Sequence, residues 1–109
     1  MFAVIYRCTI YPERESEYRH VWRQITHYLK SQRGALGSCL HKTEQGEWVA
    51  YSRWPNKETR DSAWVAQEGL TPEIQAAIAI LKSCMTKPHE EICLEVEEDL
   101  LCDTKKLPL

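Results

Sequence analysis

A chain of 109 residues carries enough material for one hydrophobic core and too little for two. With 43% hydrophobic and 28% charged residues and only 4 Gly and 5 Pro, it reads as a globular domain rather than a disordered or fibrous one. Its formal net charge is -2 with Lys and Arg scattered among Glu, so neither nucleic acid nor an anionic membrane is an expected partner, and no apolar run reaches the ~18 residues of a bilayer span.

The opening stretch MFAVIYRC has no basic segment ahead of a long apolar one, and a cytoplasmic protein is expected. Cys8, Cys39, Cys84, Cys93 and Cys102 are odd in number and include no C-x-x-C pair, which predicts reduced thiols, mostly buried.

In chain order, FAVIYRCTIY (residues 2–11) is β-branched and aromatic and stops at Pro12, predicting a first strand with two largely apolar faces. Glu13, Glu15 and Glu17 then precede Tyr18, Val21, Trp22, Ile25, Tyr28 and Leu29 at helical spacing. An amphipathic helix over about residues 14–33 follows, with Gly34 as its stop. LGSCLHKTE and EWVAYSRW flank Gln45-Gly46 as a hairpin, and Pro55 ends the second run.

Asn56 is a good cap for the next helix, and Thr71-Pro72-Glu73 restarts a helix with the stripe Ile74, Ala77, Ile78, Leu81. EEICLEVEE alternates Ile92, Leu94 and Val96 against Cys93, Glu95 and Glu97, as a strand with one wet face would. Residues 1–99 are expected to form the domain and residues 100–109 a tail.

The resulting order, β-α-β-β-α-β, is the α+β ferredoxin-like arrangement of a four-stranded antiparallel sheet with helices on one face. The other face would expose one apolar series of the first strand together with either Trp48, Ala50 and Trp54 or Val49 and Tyr51. A patch of that kind predicts a homodimer in which two sheets pack face to face.

FAVIYRCTIYPE, the Gly-x-x-Gly of GALGSCLHKTE, and RWPNKETRDSAW, which ends a strand at Trp54 and carries Trp64 on a helix, resemble the antibiotic biosynthesis monooxygenase (ABM) family of dimeric α+β barrels. The resemblance covers residues 1 to about 98 and bears on fold more than on activity. It implies a cavity between helices and sheet lined by the second helix's tryptophan, here Trp64, with Trp54 as a packing residue.

The family's quinone-forming branch, which uses no cofactor, has an Asn one turn before that tryptophan, where this chain has Arg60. An arginine there would stabilise a phenolate if it faced the cavity, but the expected direction of this side chain is toward solvent. The haem-degrading branch needs an Asn on the first strand, where this chain has Tyr6, and a His on the second helical segment, where VAQEGLTPEIQAAIAI has none. The implied activity is therefore cofactor-independent oxygenation of a small aromatic or quinone-like compound.

Such chemistry needs an aromatic wall and a few donors that hold an anion in a dry pocket. Tyr6, Tyr28, Tyr51, Arg53, Arg60 and Trp64 are the candidates, with Arg53 or Arg60 as the anion stabiliser. The alternative is a dimeric ligand-binding or protein-interaction module without catalysis, whose Trp22, Tyr28 and Trp64 fill the space between helices and sheet.

His20 and His27 fall about 10.5 Å apart along a helix, too far to share a metal ion. Cys39 and His41 share a strand face about 7 Å apart at the backbone, without an orienting carboxylate. His89 reads as a surface-loop residue and the glutamates around residue 95 as a solvated strand face. No phosphate loop or dinucleotide fingerprint is present.

Overall fold

A computed structural model of the chain describes residues 1–65 and 69–101. The strands are β1 (Phe2–Cys8), β2 (Gly37–Lys42), β3 (Trp48–Trp54) and β4 (Glu90–Glu95), and the helices α1 (Glu15–Gln32), α2 (Lys57–Val65) and α3 (Pro72–Ser83). The sheet order is β2-β3-β1-β4 with every pair antiparallel, the α+β ferredoxin-like topology expected from the sequence.

Local signals explain most boundaries. The Gly34 backbone takes φ 81° and Ala35 N–H donates to Leu29 O at 3.1 Å, so α1 ends in a left-handed glycine stop. The β2–β3 turn closes with Gly46 N–H donating to Thr43 O at 2.9 Å. Asn56 Oδ1 accepts from Thr59 N–H at 2.8 Å to cap α2, and Thr71 Oγ1 accepts from Ile74 N–H at 3.2 Å to cap α3.

β1 ends at Cys8 rather than at Tyr11, because Cys8 pairs with Trp48, the first residue of β3, and the partner strand has no further residue to offer. Beyond it Ile10 makes only an isolated bridge to Met85, and Pro12 opens a short 3-10 turn. Cys8 and Cys84 are buried, while Cys39 and Cys93 are exposed on the outer strands, so burial is less general among the cysteines than expected; Cys102 lies outside the described residues, as does the tail from residue 102.

Phe2, Val4, Cys8, Trp48, Ala50 and Trp54 share one sheet face and are buried. Tyr18 packs edge-on to Trp48 at 5.4 Å, and Val21 and Ile25 meet Ala77 between α1 and α3. The opposite face carries Ile5, Val49 and Tyr51, all half-buried, with Ile92 41% and Leu94 37% exposed. β4 is therefore exposed on both faces, contrary to the one-sided wetting expected: it is an edge strand whose Ile92 and Leu94 point away from the helices.

Candidate active site

Between the helical layer and the sheet lies a cavity of about 840 Å³, within the usual range for small-molecule sites. Trp22 and Tyr28 of α1, Arg60 and Trp64 of α2, and Ile74, Ile78 and Leu81 of α3 form one wall. Tyr6, Ala50, Ser52 and Trp54 form the other. Trp22, Tyr28 and Trp64 thus line the space rather than fill it.

α2 delivers its two polar and aromatic groups together. The Asn56 cap fixes where the helix starts, Ala63 buries against the cluster of Phe2, Val4 and Trp54, and Arg60 and Trp64, four residues apart, share the neighbouring face. Trp64 is 38% exposed and so touches both cavity and solvent, whereas Trp54 is 1% exposed and is a wall residue. The packing role expected of Trp54 and the cavity-lining place expected of Trp64 both correspond to where these residues stand.

Five polar groups of the lining, Tyr6, Arg60, Asp61, His89 and Glu91, are joined to one another. Arg60 Nη2 donates to the Tyr6 hydroxyl at 3.4 Å and is also ion-paired with Glu91. Arg60 Nη1 lies 3.4 Å from Asp61, which is bound in turn by Lys57 at 2.6 Å. His89 stands edge-on to Tyr6 with ring centroids 5.3 Å apart, and its Nε2 is 3.3 Å from Glu91 Oε2.

Burial raises the Tyr6 phenol above its ordinary value, with Glu91 adding to the shift and Arg60 and Trp64 opposing it. Tyr6 is therefore a neutral hydroxyl that can donate to an oxyanion. For Arg60 burial pulls downward, but its hydrogen bonds to Tyr6 and Glu91 and the charge of Glu91 more than offset it and leave the guanidinium above its ordinary value, hence permanently cationic. Its side chain is only 14% exposed, so the charge is directed inward rather than to solvent.

Not every expected site residue is here. Tyr51 and Arg53 alternate with Ala50 and Ser52 along β3 and therefore stand on the sheet's other face; neither lines the cavity. Arg53 pairs with Asp99 instead. Tyr28 does line the cavity, with its hydroxyl donating to Gly69 O at 3.2 Å and accepting from Arg33 Nε at 3.3 Å.

His89 and Glu91 were not expected in the site. The strand register brings them in, since Glu91 lies opposite Tyr6 and so shares its face. His20, His27 and His41 are exposed, and among the described residues no cluster of three or more His, Cys, Asp or Glu could hold a metal ion. No described helix is long and apolar enough to cross a membrane.

Comparison with known proteins agrees with this architecture. Rv0793 from Mycobacterium tuberculosis superposes with a TM-score of 0.72 at 19% identity, covering 92% of this chain and 98% of that one. SnoaB, a cofactor-independent oxygenase from Streptomyces nogalater, superposes with a TM-score of 0.71 at 16% identity, covering 91% and 95%. At such identities the likeness is one of fold. No curated protein matches the chain at a significant level. Residues 1–79 match the family Antibiotic biosynthesis monooxygenase, and with most of its length so matched the chain belongs to that family.

Proposed function

We propose that the protein is a cofactor-independent monooxygenase that oxidises a small phenolic or anthrone-like compound in the cavity between helices and sheet. The observation that carries this reading is the joining of a neutral Tyr6 hydroxyl and the inward-facing Arg60 guanidinium on the wall of a chamber that Trp22, Tyr28, Trp54, Trp64, Ile74 and Ile78 also line. A buried donor and a cation stabilise a phenolate or enolate far better there than in water.

Such an anion is electron-rich enough to reduce oxygen, and the overall change converts a ring methylene and O₂ into a carbonyl and water without an external reductant. Trp64 and Tyr28 supply flat walls for the aromatic substrate. The fold shared with SnoaB supports the same class of reaction.

We further infer a homodimer built on the open sheet face, where Ile5, Val49, Tyr51, Ile92 and Leu94 form an apolar surface of the kind that marks interfaces. Exposed thiols at Cys39 and Cys93 favour a reducing compartment such as the cytoplasm.

A thermal-shift panel of anthrones, naphthols and quinones tests the reading, since a ligand that binds only the folded state raises the melting temperature. A rise with phenolic members that is lost in Arg60→Leu supports it. Binding of non-phenolic apolar compounds alone would instead favour a ligand-binding module without catalysis.

A further inference from the structure

The oxygenase reading leaves one cavity group without a role, the His89 imidazole. It precedes β4, lines the cavity beside Tyr6, and has Glu91 Oε2 at 3.3 Å from Nε2, while Oε1 of the same carboxylate holds Arg60. A carboxylate at Nε2 favours the tautomer that keeps the proton there, because that N–H then donates to it. The lone pair is left on Nδ1, which has no hydrogen-bond partner among the described residues.

The charges around the cavity bear on what enters it. Among the described residues its charged lining consists of Arg60 and Lys82 against Asp61 and Glu91, so with an uncharged imidazole the site is balanced. A balanced site offers no surplus cation to a ligand that arrives ionised. A neutral phenol that ionises inside, leaving its proton in the same site, does find one, because the imidazole becomes an imidazolium.

The other lining groups fail as proton acceptors. Asp61 is engaged by Lys57 and Arg60, and Glu91 by Arg60 and His89. Lys82 is a cation, and burial keeps Tyr6 protonated against the opposing pull of Arg60.

We propose that His89 is the general base of this cavity and Glu91 the residue that positions it, so that the substrate is a neutral phenol or enol ionised after it binds. The proposal rests on the oxygenase reading above. In the step itself the substrate O–H bond breaks, its electron pair stays on oxygen, and the proton forms a bond to His89 Nδ1. The oxyanion is left to Tyr6 and Arg60, and the imidazolium to Glu91. No oxidant or reductant takes part.

The test uses the full chain under nitrogen at neutral pH, titrated into 1,8-dihydroxyanthrone, whose ionised form absorbs at longer wavelength than its neutral form. The wild type is expected to bind it ionised. His89→Gln is expected to bind it in the neutral form and about tenfold more weakly, because the ionised complex no longer adds to the bound population, and to consume oxygen about a hundredfold more slowly once air is admitted. His89→Asn serves should the glutamine variant not fold.

Glu91→Gln is expected to lower the ionised fraction, and an unchanged fraction and rate would remove its positioning role. An anthrone bound neutral by the wild type, or bound ionised by His89→Gln, overturns the proposal and leaves the oxygenase reading standing. No binding to the wild type overturns both.

Discussion

The Arg60 guanidinium reaches the Tyr6 hydroxyl across 3.4 Å, joining residues 54 positions apart and tying α2 to the centre of the sheet. The bond places a fixed cation and a neutral donor side by side on the cavity wall. If the pair stabilises a phenolate, Arg60→Leu should reduce kcat/KM for oxygen uptake by roughly a hundredfold and Tyr6→Phe by about tenfold, as for loss of oxyanion donors elsewhere. Equal activity of both variants and the wild type would remove the pair from the mechanism.

The tryptophans at positions 54 and 64 should separate stability from binding. Trp54 is 1% exposed within the cluster of Phe2, Val4 and Ala63, so Trp54→Ala is expected to cost about 3–5 kcal/mol in urea unfolding. Trp64 is 38% exposed, so Trp64→Ala should cost well under half of that and instead shrink the ligand-induced rise in melting temperature.

At Gly34, a Cβ would stand 2.8 Å from Thr59 Cγ2 on a backbone with φ 81°. Gly34→Ala combines left-handed strain with a clash and should destabilise by about 1–2 kcal/mol, measured as a fall in the urea midpoint with the slope unchanged. Thr59→Ser alongside it should restore part of the loss, because the methyl that clashes is gone.

Alkaline stability follows from Tyr18. Burial raises its phenol above the ordinary value of 10.0, with the neighbouring Cys8 and Cys84 adding to the shift. A raised value means the folded state favours the neutral form, so this contribution is complete below the unfolded value and is lost as pH rises beyond it toward the folded one. Unfolding free energy should therefore fall above about pH 10, and Tyr18→Phe should flatten that limb.

The open sheet face gives a test of assembly. Tyr51 lies opposite Ile5 on β1, and Ile5 opposite Ile92 on β4, so the three form an apolar row across that face. Tyr51→Glu should convert the proposed dimer to a monomer in sedimentation equilibrium while leaving the far-ultraviolet circular dichroism spectrum unchanged. A monomeric wild type would refute the interface.

Much of the fold is legible in the residues because its boundaries are set locally. Asn56 and Thr71 cap the helices they precede, Gly34 stops α1, and Gly46 turns the hairpin, each through a bond within six residues. The site is less legible, because it depends on which strands become neighbours. Tyr51 and Arg53 are as aromatic and basic as any site residue, yet alternation along β3 turns them away from the cavity that Ala50 and Ser52 face. His89 and Glu91 look like surface residues until β4 is laid against β1, which sets Glu91 opposite Tyr6.

The same dependence explains Arg60. Helical spacing alone cannot say whether an arginine one turn before Trp64 faces water or the sheet. The partners Tyr6 and Glu91, supplied by two strands distant in sequence, decide it.

Oxygen consumption by the wild-type protein with 1,8-dihydroxyanthrone, followed on an oxygen electrode with the product identified by absorption, tests the central claim most directly. The account predicts that one O₂ is consumed for each quinone formed, at a rate above the spontaneous one that falls roughly a hundredfold in Arg60→Leu. An anthrone that raises the melting temperature while oxygen falls no faster than without protein would contradict it, and would leave a chamber that binds phenols without oxidising them.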